Sequence, residues 1–445
     1  MRIRADFTKT AGRIKPMHGI GQPPILGLYD TMFHYVGEAG FPYSRLHDVG
    51  GPFGGSRFVD IPNLFPDFDA DETLPGSYDF VFTDWLIERL MEQGCEPIFR
   101  LGVTIENFAG IKAYRVFPPK DFGKWARICE HVIRHYNEGW ADGYTFRIRY
   151  WEIWNEPEGD MDGKGGMCWM GTKEEFFRLY EITANHLKRC FGESIKVGGY
   201  ASCGDFPEAR DPDCIGFAKP SNRREYWLNY AHEFLDYISS EDHKAPLDFF
   251  SWHSYGNVVE ILREEDYCRR MLAKHGFGET EDILDEWNPH HTVETRGTPA
   301  AASAALAVML GMQKKPVGLL AYYDGRIGPS QYGGLFNPDT WKPYLTYYAF
   351  RMFHQAYRLG KEAESSVDVE GIFVLGATDG DRKILLIANP GEKPAETELE
   401  IAGAEIRNPE ILRIDGIYRY APTGERIRGG KLVLPPYSCT EIRLQ

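Results

Sequence analysis

The stretch YWEIWNEPEG, Tyr150 to Gly159, gathers three glutamates, two tryptophans, an asparagine and a proline within ten residues. A second stretch, DILDEWN from Asp282 to Asn288, sets Glu286 between Asp285 and Trp287. Glu156 and Glu286 each follow a short apolar run, where a side chain at a strand end can enter a cleft. A glutamate among tryptophan and proline loses hydration, which raises its pKa and lets it keep a proton near neutrality, as a general acid must. A second glutamate stays ionised where donors such as Tyr255 or His253 point at it, and can then attack an electrophilic carbon. Two carboxyls divided in this way are the minimal equipment for breaking a glycosidic bond.

Taken singly, each of these residues has an ordinary explanation. A glutamate ending a strand can cap a helix or pair with an arginine, Trp151 and Trp154 suit a core, and His47 and His253 suit buried, satisfied histidines. HVIRH, with His131 and His135, has the i,i+4 spacing of a helical zinc pair. It lacks the glutamate of HExxH and lies on an outer helix, so a packed or solvated face is expected there. His290 and His291 follow the second glutamate without companion ligands in the sequence. The expected chemistry uses carboxyls and hydrogen bonds, with no metal and no cofactor.

Eight apolar runs could hold such side chains: IKPMHGI, YSRLHDV, EPIFRLG, RIRYWEIW, IKVGGY, LDFFSWHSY, DILDEWN and VGLLAYYD. Helical patterns alternate with them over 78–93, 121–137, 172–190, 224–239 and 299–312, the third opening on a Thr172–Glu175 capping box. Near-continuous apolar strands alternating with helices indicate parallel strands covered on both faces. The expected fold is α/β, a (β/α)8 TIM barrel over residues 13–358. After Gly360 the texture changes to GIFVLGAT, KILLIAN, KLVLP and CTEIRLQ, separated by Gly, Pro and Asp. This reads as a small C-terminal antiparallel β-sandwich over 359–445, with residues 1–12 as a candidate further strand. Two long insertions, 50–76 and 201–223, are expected to wall one side of a pocket.

The 445 residues carry a net charge of −15 with no basic stripe, which argues against nucleic acid and anionic membrane as partners. A neutral oligosaccharide or small glycoside fits better, and a homo-oligomer is left open. The amino terminus, MRIRADFTKTAGRIKP, has no apolar signal-peptide core, and no run approaches the ~20 apolar residues of a membrane span. A cytoplasmic location is the expectation. The eight cysteines are scattered without a CxxC pair, so reduced, mostly buried thiols are expected.

In combination, WNEP at one strand end, HSY two strands on and DEWN on the next resemble the pattern of clan A retaining glycoside hydrolases. Within that clan the chain most resembles glycoside hydrolase family 39, whose members include β-xylosidases and α-L-iduronidases. GFPYSRLHD, GSYDFVFTDWLIERLMEQGCEPIFRLG, WEIWNEPEG, DFFSWHSYG, ILDEWN and YGGLFNPDTWKPYLTYYAF carry the resemblance, over roughly residues 14 to 445. It implies Glu156 as acid/base and Glu286 as nucleophile, about 5 Å apart as in retaining enzymes. Asn155 would hold a sugar 2-hydroxyl, and Pro157 would end the strand. His253 and Tyr255 would orient Glu286, with His47, Asp48, Trp287, Tyr323 and Asp324 completing the substrate-binding set. An exo-acting, β-xylosidase-like hydrolase is the first expectation. The same machinery with iduronidase, galactosidase or arabinosidase specificity is the second, and a non-catalytic sugar-binding module the third. Asp48 stands where the family usually has glycine, and Tyr322, Tyr323, Asp324 and Arg326 stand where many clan members supply a tryptophan floor. Asp285 is expected to face away from the pocket, because alternate strand residues point opposite ways.

Overall fold

The computed structural model describes residues 1–25, 32–49, 59–104, 116–159, 168–204, 206, 222–289, 292–327 and 332–445. The first strand, β1 (Arg2–Arg13), belongs to a sheet completed only at the far end of the chain. There follow β2 (Gly19–Gly21), α1 (His34–Ala39), β3 (Tyr43–Leu46), α2 (Ile61–Leu64), α3 (Val81–Glu92), β4 (Glu96–Leu101), α4 (Phe122–Glu138) and β5 (Tyr150–Ile153). Next come α5 (Lys173–Phe191), β6 (Lys196–Ser202), α6 (Asn222–Ser239), β7 (Phe249–Ser254), α7 (Val258–Lys274), β8 (Glu281–Trp287), α8 (Pro299–Gln313), β9 (Leu319–Tyr322) and α9 (Leu345–Leu359). β2 to β9 pair in parallel in chain order and β9 closes on β2, giving the (β/α)8 barrel. The helices start where side chains satisfy their free N–H groups. Thr172 and Glu175 form a capping box on α5, and Asn257 and Glu260 another on α7.

The strands alternate inward and outward, so the barrel interior fills in layers. Tyr43, Ile98, Tyr150, Phe249, Ile283 and Leu319 form an apolar floor near the amino ends of the strands. Two residues further on, β3, β4, β5 and β8 present Arg45, Arg100, Glu152 and Asp285, all fully buried. The carboxyl ends of the strands lie one step beyond this charged layer. Of the two insertions expected to wall a pocket there, residues 50–58, 205 and 207–221 lie outside the described residues, as do His290 and His291.

After α9 come β10 (Lys361–Val367), β11 (Phe373–Thr378), β12 (Lys383–Asn389), β13 (Ala395–Ala402), β14 (Glu410–Ile414), β15 (Arg419–Pro422), β16 (Lys431–Leu434) and β17 (Ser438–Leu444). With β1 they make one curled nine-stranded sheet in the order β15-β14-β17-β12-β11-β10-β1-β13-β16. Its pairings are antiparallel except that of β1 with β13. One face encloses its own core of Ile3, Leu385, Leu399, Leu434 and Ile442. The other, through Leu375, Leu386, Ala388 and Ile414, joins the barrel core by packing on α8 and α9. That explains α8, whose sequence PAAASAALAVMLGMQ is apolar all round: it is covered by the barrel on one side and by the sheet on the other.

Among the described residues no helix is long and apolar enough to cross a membrane. Cys95, Cys129, Cys168, Cys268 and Cys439 are buried free thiols, and Cys190 and Cys203 are partly exposed ones. His135 gives its ring nitrogens to Asp84 and to the Trp140 carbonyl, while His131 bonds back to Arg127, so the HVIRH pair is packed helix surface.

Candidate active site

The strand that ends in the first glutamate is β5. Tyr150 and Glu152 point into the barrel, whereas Trp151 turns outward against Phe99, ring centroids 5.0 Å apart. Past the strand, Trp154 and Glu156 both have left-handed backbones, φ 73° and 44°. Such conformations cost roughly 1–3 kcal/mol each in non-glycine residues and collect at active sites. This turn swings the Trp154 indole out, where it packs on Trp125 and Trp169 and bonds the Cys168 carbonyl. Glu156 is left facing the cleft with its side chain 27% exposed.

The expectation that tryptophan surrounds Glu156 and raises its pKa is therefore corrected: both indoles face the outer core. Burial alone would push the Glu156 carboxyl up. The hydrogen bond and electrostatic pull of His253, helped by Arg45 and the Cys203 thiol, bring it below its ordinary value instead.

Glu286 reaches the cleft by a different device. β7 pairs Trp252 with Leu284 but His253 with Glu286, and β9 pairs Leu320 with Leu284 but Tyr322 with Trp287. Seen from both neighbours, β8 carries one extra residue, a β-bulge at Asp285. Alternation from Ile283 turns Asp285 inward, the bulge lets Glu286 follow it, and Trp287 turns out. Two expectations are corrected by this. Asp285 points into the barrel, 2.8 Å from Arg45 Nε. Trp287 is fully buried beside Tyr322 and Phe350 and takes no part in the cleft.

Arg45 holds the site together. Its Nε donates to Glu152 Oε2 (2.7 Å), Nη1 to Glu286 Oε1 (2.6 Å) and Nη2 to Asn155 Oδ1 (2.7 Å). The last bond fixes the Asn155 amide, turning its NH2 toward Cys168 Sγ at 4.0 Å and leaving it the donor a sugar hydroxyl would meet. One guanidinium faces three buried carboxyls, Glu152, Asp285 and Glu286, and that excess of acid cannot all stay ionised. Burial and the like charges of Glu152 and Glu286 push Asp285 well above the carboxylate range. Glu152, desolvated but bonded to Arg45 and Asp285, is drawn below its ordinary value.

The two glutamates meet over His253. Its Nδ1 donates to Glu156 Oε1 at 2.7 Å and lies 3.6 Å from Glu286 Oε2, while Nε2 lies 3.5 Å from Asp285. A carboxylate oxygen of Glu156 and one of Glu286 are within 4.8 Å of each other. Tyr255 donates to Glu286 Oε2 at 2.6 Å, and burial next to Glu286 pushes its phenol up, so it keeps the proton it donates. Gly204, at φ 69°, lies beneath His253: a Cβ there would come within 1.8 Å of the His253 carbonyl.

On the other side of the cleft, Tyr323 accepts from Gln22 Nε2 (2.7 Å) and donates to Asp48 Oδ2 (2.9 Å). Asp48, at φ 51°, lies 3.2 Å from His47 Nε2. Burial, with Arg100 and Arg45 nearby, pushes His47 well below its ordinary value and keeps it neutral. Asp324 is fully buried and paired with Arg326 at 3.1 Å, so it supports the wall from behind. Tyr332 completes an aromatic wall, its ring 4.8 Å from Tyr255 and 5.3 Å from Tyr323.

Arg45, Gln22, Tyr332 and Cys203 were not singled out from sequence. Only Arg45 left a signal: a charge inside an apolar run that must face a barrel interior, and therefore needs partners. Glu156, His253 and Glu286 offer an oxygen, a nitrogen and an oxygen close enough for a cation, and Glu130, His186 and Cys190 on α4 and α5 offer an oxygen, a nitrogen and a sulfur. In the first set Arg45 already supplies the positive charge at Glu286.

Residues 65–314, which span both glutamates, match the model of the glycosyl hydrolases family 39. A β-xylosidase of Caldicellulosiruptor saccharolyticus is 32% identical over 306 residues, 64% of this chain and 54% of that protein. A β-xylosidase of Geobacillus stearothermophilus is 25% identical over 258 residues, 56% of this chain and 43% of that protein. The chain spans about half the length of these curated relatives. Among solved structures, a glucosidase from Croceicoccus marinus aligns over 100% of this chain and 98% of its own, with TM-score 0.77 and 20% identity. A monomeric β-xylosidase from Caulobacter crescentus CB15 aligns over 100% and 99%, with TM-score 0.71 and 17% identity. Both share the fold.

Proposed function

Because the chain belongs to the glycosyl hydrolases family 39, we propose that it is a retaining, exo-acting glycoside hydrolase of β-xylosidase type. Glu286 is the nucleophile and Glu156 the acid/base. The observation that carries this reading is that an oxygen of Glu156 and one of Glu286 lie within 4.8 Å of each other, both close to His253 Nδ1. Retaining enzymes hold their two carboxyls ~5–5.5 Å apart, inverting ones ~6.5–9.5 Å to admit a water.

In the first step Glu286, held by Arg45 and Tyr255, attacks the anomeric carbon of the terminal sugar. The glycosidic oxygen leaves with a proton held on the Glu156–His253 pair, whose two atoms lie 2.7 Å apart. Asn155, turned by Arg45, donates to the sugar 2-hydroxyl, a bond that tightens as the ring flattens. In the second step Glu156 takes a proton from water, which attacks the glycosyl-Glu286 ester and restores the starting configuration.

A neutral glycone is supported by the two matched relatives, both β-xylosidases. It is also supported by Arg326, whose guanidinium is engaged by Asp324 rather than turned to a uronate. The test is a panel of aryl glycosides with the first-formed anomer followed by NMR, then xylo-oligosaccharides with product analysis. Expected are turnover of the β-xyloside, a β-anomer as first product, and xylose as the sole early product from oligomers. An α-anomer would reject retention, internal cleavage would reject exo action, and preference for another glycoside would reject the xylosidase reading.

A further inference from the structure

Glu158 stands two residues past Glu156 and has no role in the steps above. Its side chain is fully buried, and its Oε1 accepts from Ser202 Oγ and from the Cys203 N–H, each at 2.8 Å. Ser202 ends β6, the strand beside β5, and Cys203 follows it. The same segments are joined once more where the Glu156 N–H donates to the Ala201 carbonyl at 3.0 Å. Cys203, whose N–H Glu158 holds, faces the Glu156 carboxyl with its thiol. Trp154, Glu156 and Ala201 all have left-handed backbones, φ 73°, 44° and 56°. Non-glycine residues stay in that region only where their surroundings over-determine them.

We propose that Glu158 is a positioning residue for the acid/base: it ties the Asn155–Gly159 turn to the end of β6 and so sets where the Glu156 carboxyl sits against His253 and Glu286. The inference rests on Glu156 being the acid/base. The groups facing Glu158 are the Glu156 carboxyl, the Cys203 thiol and the phenols of Tyr200 and Tyr230, with Arg223 further out at the Gly159 carbonyl. Burial among them pushes Glu158 up to about 8. At neutral pH it is a protonated acid, which accepts at Oε1 without setting a second carboxylate against Glu156.

The experiment compares Glu158→Ala, Glu158→Gln and Ser202→Ala on two substrates: the dinitrophenyl glycoside of the sugar the wild type prefers, and the matching disaccharide. A displaced acid matters only where the leaving group needs a proton. Glu158→Ala should lose about 10²-fold in kcat/KM on the disaccharide and less than about 3-fold on the dinitrophenyl substrate, with a moved alkaline limb of the pH profile. Glu158→Gln keeps the acceptor and should stay within about 3-fold of wild type on both. If Glu158→Ala does not fold, Ser202→Ala removes part of the same tie and must show the same split in smaller measure. Equal losses on both substrates with an unmoved pH profile, or Gln as impaired as Ala, would overturn the proposal. Glu156→Ala assayed alongside separates the two levels. If it shows no leaving-group split, the acid/base reading fails; if it splits and the Glu158 and Ser202 variants do not, this inference alone fails.

Discussion

Replacing Glu158 with glutamine should stabilise the protein at neutral and alkaline pH and leave it nearly unchanged in acid. Burial carries the Glu158 carboxyl from an ordinary 4.5 to about 8. At ~1.4 kcal/mol per pH unit, the difference is on the order of 5 kcal/mol. The folded state keeps a proton that the unfolded chain releases. The stability associated with it is fully present below pH 4.5 and is lost as pH rises through about 8. Glutamine cannot ionise, so the variant escapes this loss. Urea unfolding of both proteins from pH 4 to 9 measures the difference. It should be near zero at the acid end, rise in favour of the variant by up to about 1.4 kcal/mol per pH unit, and level off above about pH 8. Glu265 and Asp282, raised by burial to about 7 and about 6, titrate in both proteins and cancel. A difference flat with pH would refute the reasoning, because it would mean that Glu158 ionises normally in the fold.

The division of labour between the two glutamates predicts that Glu156→Ala keeps much of its first step on activated aryl glycosides and loses nearly all of it on disaccharides, with azide restoring turnover to a β-glycosyl azide. Glu286→Ala should fail on both substrate types by more than about 10³-fold, and rescue by azide there should give the opposite anomer. His253→Phe removes the bond that draws Glu156 down, so Glu156 should hold its proton to higher pH and the alkaline limb of kcat/KM should move up. Arg45→Met strands three buried carboxyls and should cost about 3–5 kcal/mol in unfolding free energy at pH 7, with kcat falling on good and poor leaving groups alike. A loss below about 1 kcal/mol would mean that the carboxyls find other partners.

The barrel was legible in the sequence because each of its strands is a short apolar run closed by polar residues, and burial on both faces enforces that pattern. The strand-end glutamates were legible for the same reason. Side-chain direction beyond a strand end was not. Trp154 and Glu156 are neighbours but one, and only the left-handed turn between them sends the indole to the core and the carboxyl to the cleft. Simple alternation misplaced Asp285 and Trp287, since a bulge leaves no mark in residue types. Arg45 could have been flagged as a buried charge, yet its partners lie 107, 110 and 241 residues away, a closure that only the folded barrel supplies.

The strand order of the second sheet sets a schedule for synthesis. β1 is synthesised long before its two neighbours, β10 and β13, Ile3 pairing with Val367 and Leu399. Until then β1 is an unpaired strand of the kind that recruits other chains. The barrel can close meanwhile, but the outer sides of α8 and α9 stay bare until β11, β12 and β14 arrive to cover them. A ribosome that has let out Leu359 but not yet β10 would therefore hold a complete cleft on a body with an exposed greasy flank. Quality control in the cell would see that flank and not the active site, and trimming the chain to its barrel would make the same species permanent.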